Sequence, residues 1–369
     1  AGWVIGLAVG ATVYCLHYLG SHTVSPVYWT AAKQWWASQE MYGSKEMTWA
    51  GRHGYLYFPQ AVLVFTPFAY LPFAVAEVSW RIFSIAVLMC AMWRVCARYG
   101  SDRRMLWFGL SSPLAAPIFL LSASNGQANL LVMAAMTIGV LEVAGRRWWI
   151  ATAWLMLGVA LKPHAMVLVL LIAALNPPML WRLGVGLVVL AAAPFVNPDW
   201  PYVLQQHVSF VQKLRVVTRP EAGENQDLVG LVWTFGVTLP ERIWTLIRVA
   251  GAGVTLGLCV LARKWFTRDA FLLYTLAFAV LYIMLFNPRT EGPTHSMLGL
   301  LLALFTAREL IVRPRPLAWA LVAASIFMGV CHEIVKHRNA CVLPMVDVWF
   351  AIYLVSHVVQ RRPAFPATL

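Results

Sequence analysis

Three short polar clusters interrupt an otherwise apolar chain, and each carries residue types capable of chemistry. Asn287-Pro-Arg-Thr-Glu-Gly-Pro293 holds a carboxylate, Glu291, and a cation, Arg289, with His295 two residues beyond. Leu161-Lys-Pro-His164 places Lys162 and His164 at the end of a strongly apolar run. Asn125-Gly-Gln-Ala-Asn129 offers three carboxamides: Asn125, Gln127 and Asn129. Carboxylates and imidazoles move protons, lysine and arginine hold anions, and amides exchange hydrogen bonds with hydroxyls. Each cluster also has a plainer reading. Glu291 could pair with Arg289 in a solvated turn, Lys162 could snorkel to headgroups, and Asn125 could cap a helix. The prolines and glycines around Glu291 and Lys162 nevertheless keep the backbone irregular, and at membrane depth such backbone must line a polar cavity or be buried in protein.

Two longer polar segments add candidates. In residues 20–72 the carboxylates are Glu40 and Glu46, with His22 and His53 as imidazoles. Glu46 lies in the flexible stretch 42–54, which is able to fold over a site; Glu40 ends an amphipathic segment and is expected to face solvent. His53, between Arg52 and Gly54, is an alternative base if nearby cations lower its pKa. In residues 197–242, Glu224-Asn-Gln-Asp227 precedes an apolar stretch, Leu228 to Phe235, too short to cross a bilayer. Gln226 is placed to meet a hydroxyl, while Asn225 or Asp227 suits the N-cap of that short helix. The outer loops contain no Asp-x-Asp pair and the six cysteines have no zinc spacing, so no metal site or cofactor is expected.

The elements that must position these residues are membrane helices. Of 369 residues, 60% are hydrophobic and 12% charged, and the mean hydropathy is +0.69; an ordinary soluble domain is ~25% charged. Apolar runs fall at 2–19, 74–97, 105–122, 127–144, 148–161, 164–176, 180–196, 243–262, 270–286, 294–307, 316–334 and 342–359. They predict an all-α polytopic membrane protein of about twelve transmembrane helices, forming one domain over 1–369. A further run, 57–70, holds Pro59 and Pro67 and is read as an interfacial helix. With that assignment, 15 of the 28 basic residues gather in short loops on one side, at Arg94 to Arg104, Arg146, Arg147, Arg182, Arg263 to Arg268, Arg308 to Arg315, Arg361 and Arg362. The positive-inside rule then makes both termini cytoplasmic and the polar loops extracytoplasmic. The net charge of +13 is scattered in pairs at most, which excludes a nucleic-acid stripe. In the first outer loop Val27, Tyr28, Ala31, Ala32, Trp35 and Trp36 recur on one helical face, a pattern suited to the headgroup level.

The layout, a first span, a large outer loop of interfacial helices and many further spans, resembles the GT-C glycosyltransferases. Tyr55-Leu-Tyr-Phe-Pro59, Asn125-Gly-Gln-Ala-Asn129, Leu161-Lys-Pro163, Asn225-Gln-Asp-Leu228 and Asn287-Pro-Arg-Thr-Glu291 are together similar to glycosyltransferase family 87, which includes the mannosyltransferases of phosphatidylinositol mannoside assembly. The resemblance implies a polyprenyl-phosphate sugar donor, presented at headgroup depth, and a lipid or glycan acceptor on the outer face of a bacterial cytoplasmic membrane. Glu291, Glu46 and His53 are then the candidate bases. Lys162, Arg289 and His164 are candidates for the donor phosphate, and Asn125, Gln127, Asn129, Tyr28, Gln226 and His295 for the sugar or acceptor. One position departs from the family. Its members usually carry an aspartate, the expected base, four residues before the tyrosine matching Tyr28, and here that position is Val24. A secondary transporter and an inactive family relative acting as a binding or assembly subunit are the alternatives; the span interiors, nearly free of charge, speak against the first.

Overall fold

The computed structural model describes residues 23–43, 54–217, 225–312, 314–335 and 341–365. Among them the chain forms fifteen α-helices and no strands. Two short helices, α1 (Ser25–Trp36) and α2 (Ala61–Ala69), precede α3 (Phe73–Tyr99), α4 (Arg104–Asn125), α5 (Asn129–Ala144), α6 (Trp148–Leu161), α7 (Met166–Leu175) and α8 (Pro177–Ala192). The second polar loop contributes α9 (Trp200–Val217) and α10 (Leu228–Thr234), before α11 (Glu241–Trp265), α12 (Arg268–Phe286), α13 (Ser296–Val312), α14 (Pro316–Val335) and α15 (Leu343–Val359).

The structure supports part of the twelve expected spans. Six segments are long and apolar enough to cross a membrane, and five shorter apolar helices accompany them; the run at 2–19 lies outside the described residues. The shorter helices are short for a physical reason. Polar turns end α5 after 16 residues and α6 after 14, so at 1.5 Å per residue these helices are only about 24 and 21 Å long, against a hydrocarbon core of ~30 Å. The nine-residue α2, about 14 Å long, is too short to cross.

Helix α5 is the hub. All its residues are buried, as expected for a helix that is apolar all round, and α3, α6, α12 and α13 pack around it. Close packing, not water exclusion, must hold such helices together in lipid. Gly139 of α5 illustrates the fit, since a Cβ there would stand 2.9 Å from the Leu155 side chain of α6. By contrast α8 and α11 leave Val188, Val189, Leu246 and Val249 exposed, a surface suited to lipid.

Ion pairs fix how the helices alternate. Arg98 at the end of α3 holds Asp269 at the start of α12 through two bonds of 2.9 Å. Arg94 and Arg147 both pair with Glu142 near the end of α5, and Arg268 donates to the Val143 carbonyl at 2.9 Å. The basic residues thus share one end of the bundle with the starts of α4, α6 and α12. The opposite end collects the Asn125–Asn129 turn, Lys162 and the Asn287–His295 connection.

A buried clamp seats α1 against that opposite end. Arg81 donates to Glu77 at 2.6 Å, to the carbonyls of Ala123 and Ser124 at 2.8 and 3.2 Å, and to the Thr23 hydroxyl at 3.0 Å. Trp29 of α1 donates to the other Glu77 oxygen at 2.9 Å, and the Val24 amide donates to the Asn125 carbonyl at 2.9 Å. Gly126 makes the turn possible: its φ is +71°, and a Cβ there would lie 2.1 Å from the Ser25 hydroxyl. The α1 face expected at the headgroups is instead packed into protein, with Tyr28, Ala31, Ala32 and Trp35 buried and only Trp36 of the expected set exposed. Tyr28 stacks on Phe65 of α2 at 4.4 Å.

Because Glu77 and Arg81 are both fully buried, removing one charge strands the other. Glu77→Gln is expected to cost roughly 3–5 kcal/mol, read as a lower unfolding transition in detergent, whereas Glu77→Leu combined with Arg81→Met should recover most of it. An unshifted transition for Glu77→Gln would contradict the clamp.

Candidate active site

The site is built where three polar turns meet at the buried start of α5. The Asn125–Asn129 turn is tight enough to reverse the chain directly from α4 into α5, because Gly126 adopts the left-handed conformation. The carbonyl of Gly126 is secured in turn, accepting from the indole of Trp80 at 2.9 Å. Within the turn, Asn129 donates to the Gln127 carbonyl oxygen at 2.6 Å. This orients the other end of the Gln127 amide, which donates to the Glu291 carboxylate. Gln127 and Asn129 are buried, whereas Glu291 is exposed. The Glu291 carboxylate is thereby held by a support that is itself hydrogen-bonded within the turn. No side chain caps α5, so its N-terminal amides leave a positive dipole end directed at the same region.

Lys162 approaches from the end of α6. Pro163 cannot continue the helix, and Lys162 itself adopts an extended conformation, which turns its side chain over the ring of Tyr57 at 5.9 Å. Burial pulls its ammonium down from the ordinary lysine value to about 8, and the neighbouring Glu291 carboxylate acts in the opposite direction. His164 lies beside Lys162, and its Nε2 is buried without a partner among the described residues. Tyr57 and Tyr28 share a hydroxyl hydrogen bond of 2.5 Å, and the Ala128 amide at the start of α5 also reaches the Tyr28 hydroxyl. Burial, aided by the charge of Glu291, raises both phenols far above the usual tyrosine range, so they remain protonated donors.

The Asn287–His295 connection is fixed from both sides. Thr290 donates to the carbonyls of Ile283 and Asn287 at 3.3 and 3.1 Å, while its own carbonyl accepts from the Gln226 amide at 2.7 Å. The Gln226 side chain accepts from the Leu343 amide at 3.3 Å, binding the second loop to α15. Asp227 takes the N-cap of α10, accepting from Gly230 at 2.8 Å. Burial lowers the Lys213 ammonium of α9 below the ordinary lysine value, and the nearby charge of Arg289 adds to the shift. His295 is fully buried, with Nε2 3.0 Å from Asp347.

The expected residues therefore divide. Gln127, Asn129, Glu291, Lys162, His164 and Tyr28 come together. Asn125 serves through its backbone, Gln226 braces the turn, Arg289 stands at the rim near α9, and His295 lies behind Glu291. Glu46 and His53 fall outside the described residues. Glu40, expected to face solvent, is exposed yet ties the two outer loops by accepting from Gln206 at 3.0 Å and Ser209 at 3.3 Å. Tyr57 and Asp347 are additions that the candidate set from sequence lacks. Tyr57 stands within the Tyr55–Pro59 motif, and Asp347 is a lone carboxylate inside an apolar run, itself a pointer to function.

A carboxylate, a lysine and amide donors gathered where turns of an apolar helical bundle meet suit a transferase that handles hydroxyls and an anionic group. The chain matches the model of glycosyltransferase family 87 over residues 55–288, more than half its length, and it belongs to that family of membrane glycosyltransferases. No curated protein matches the chain. The matched region contains Tyr57, Gln127, Asn129 and Lys162 and stops just short of Glu291.

The coupling of Lys162 to Glu291 is testable without substrate. The rate at which an amine-reactive reagent labels Lys162, followed by peptide mass spectrometry, should rise with a midpoint near pH 8, and lower still in Glu291→Gln, because the favourable charge is gone. A midpoint at the ordinary lysine value would contradict the site geometry.

Proposed function

We propose that the chain transfers a hexose, with mannose the leading choice, from a polyprenyl phosphate to a lipid-linked or glycan acceptor, with Glu291 as general base and Lys162 holding the donor phosphate. The observation that carries this reading is the Glu291 carboxylate clamped by Gln127 beside Lys162 at the uncapped start of α5. It also answers the missing aspartate. Val24 is bonded to the Asn125 carbonyl, and Glu291 to Gln127 of the same five-residue turn, so a base at 291 approaches the region that a base at 24 would serve.

In the proposed reaction the acceptor oxygen attacks the anomeric carbon and its proton passes to Glu291. The bond from that carbon to the phosphate oxygen breaks, and the phosphate departs with the electron pair. A single displacement inverts the anomeric centre. Lys162 and the α5 dipole offset the charge on the leaving phosphate, with His164 beside them and Arg289 at the rim. Asn129 and the Tyr28–Tyr57 pair supply hydrogen bonds for sugar or acceptor hydroxyls. Topology supports an extracytoplasmic site: the basic loops lie at the other end of the bundle, which the positive-inside rule assigns to the cytoplasm.

Purified protein supplied with radiolabelled polyprenyl-phosphate mannose and membrane lipid acceptors tests the reading. Glu291→Gln is expected to lower kcat by about 10²–10⁴-fold, the usual worth of a general base, and Lys162→Ala to raise the donor KM at least tenfold. Donor kcat/KM should fall as pH rises through about 8, where Lys162 loses its charge, and Lys162→Arg should abolish that fall. Chelator should leave turnover intact, in keeping with the lack of an Asp-x-Asp pair in the sequence. Transfer by wild type that is indifferent to Glu291→Gln would refute the assignment, and no transfer at all would favour an inactive binding subunit.

A further inference from the structure

Behind Glu291 lies a pair of ionisable residues that the proposed reaction does not use. His295 and Asp347 are both fully buried, the histidine at the start of α13 and the aspartate one turn into α15. The His295 ring bridges two acceptors. Its Nε2 is 3.0 Å from Asp347 Oδ2, and its Nδ1 is 3.4 Å from the backbone carbonyl of Glu291. A carbonyl oxygen only accepts, so Nδ1 must carry the proton. The Asp347 contact then needs one more proton, either on Nε2 of an imidazolium facing a carboxylate or on a neutral Asp347 donating to Nε2. Both arrangements leave the pair without net charge, the condition under which it is tolerated in a buried place. Asp347 Oδ1 has no partner among the described residues, so His295 is the contact that holds the carboxyl.

We infer that Asp347 is a positioning residue: through His295 it fixes the backbone of Glu291 so that the side chain meets Gln127 and the mouth of the site. The inference rests on the reading of Glu291 as base. The geometry supports an indirect role, because the pair grips the main chain of Glu291 from the buried side while the carboxylate is held from the other by Gln127. Residues 292–295 form a single 3₁₀ turn, too short to hold its direction unaided. Rotation of that turn would carry the Glu291 carboxylate away from Gln127 without touching Lys162.

The test is steady-state transfer by the full chain with radiolabelled polyprenyl-phosphate mannose. Asp347→Asn is expected to lower kcat about 10–100-fold, the scale of lost orienting contacts, with donor KM within about twofold because Lys162 is untouched. On the residual turnover of Glu291→Gln the same substitution should have little further effect, since two residues acting through one group are not additive. If Asp347→Asn fails to fold, the neutral double variant His295→Gln/Asp347→Asn, which leaves no charge stranded, carries the same comparison. Unchanged kcat in a chain that Glu291→Gln inactivates would overturn the inference alone, as would an equal fold-loss in both backgrounds or the failure of both variants to fold. Full activity of Glu291→Gln would instead overturn the reading on which it rests.

Discussion

The hydrogen bond from the Gln127 amide to the Glu291 carboxylate joins two turns that are far apart in sequence, and the remaining architecture is arranged so that it can form. Gln127 is held by Asn129, which begins the most deeply buried helix of the bundle. Glu291 is held by a turn braced on the second outer loop at Thr290 and on α15 through His295. Each support is tied to neighbouring elements by hydrogen bonds within the protein. A carboxylate on a loop in water would sample many directions; this one is directed by its bond from Gln127.

Membrane depth accounts for why such a site occurs among short helices. Helices α5 and α6 have 16 and 14 residues, about 24 and 21 Å, while α3 continues to 27 residues, about 40 Å. Their polar ends meet the turn that carries Glu291, where irregular backbone is admissible because it packs against protein instead of meeting lipid. Under the proposal, a site at that level receives the head group of a lipid-anchored donor while its chain remains in the bilayer. Building it requires a set of buried charges, and the Glu77–Arg81 clamp shows how their desolvation is offset, with the guanidinium shared among a carboxylate, a hydroxyl and two carbonyls.

Much of this was legible in the sequence. Each apolar run within the described residues became a helix, and the breaks at Lys162-Pro163, Gly126 and the Asn287–Pro293 stretch marked the turns that converge. Proline and glycine announce such breaks because they remove a donor or admit a left-handed turn. Helices α5, α6 and α7 follow the expected runs 127–144, 148–161 and 164–176 closely, and all three are shorter than the ~20 residues of an ordinary span. Other features were hidden for identifiable reasons. Glu77 and Arg81 were masked by the hydropathy of the run that contains them, although a charge pair one turn apart is the form in which membrane helices carry charge. Asp347 was concealed in the same way, and its role becomes apparent only when α15 is laid against α13. The inward face of α1 also misled, since a Trp- and Tyr-rich stripe reads the same whether it meets headgroups or the aromatic rings of Phe65 and Trp80.

Family membership, with Val24 where the family resemblance leads one to expect an acid, makes the location of the base the central question, and the proposal places it at Glu291 beside Lys162. A structure of the protein with a non-hydrolysable polyprenyl-phosphate sugar analogue bound would address it most directly. The phosphate should lie within hydrogen-bond reach, about 3 Å, of Lys162 Nζ, with the Glu291 carboxylate open to the opposite face of the anomeric carbon. A phosphate bound at the basic end of the bundle, or a Glu291 carboxylate turned away from the sugar, would contradict that assignment.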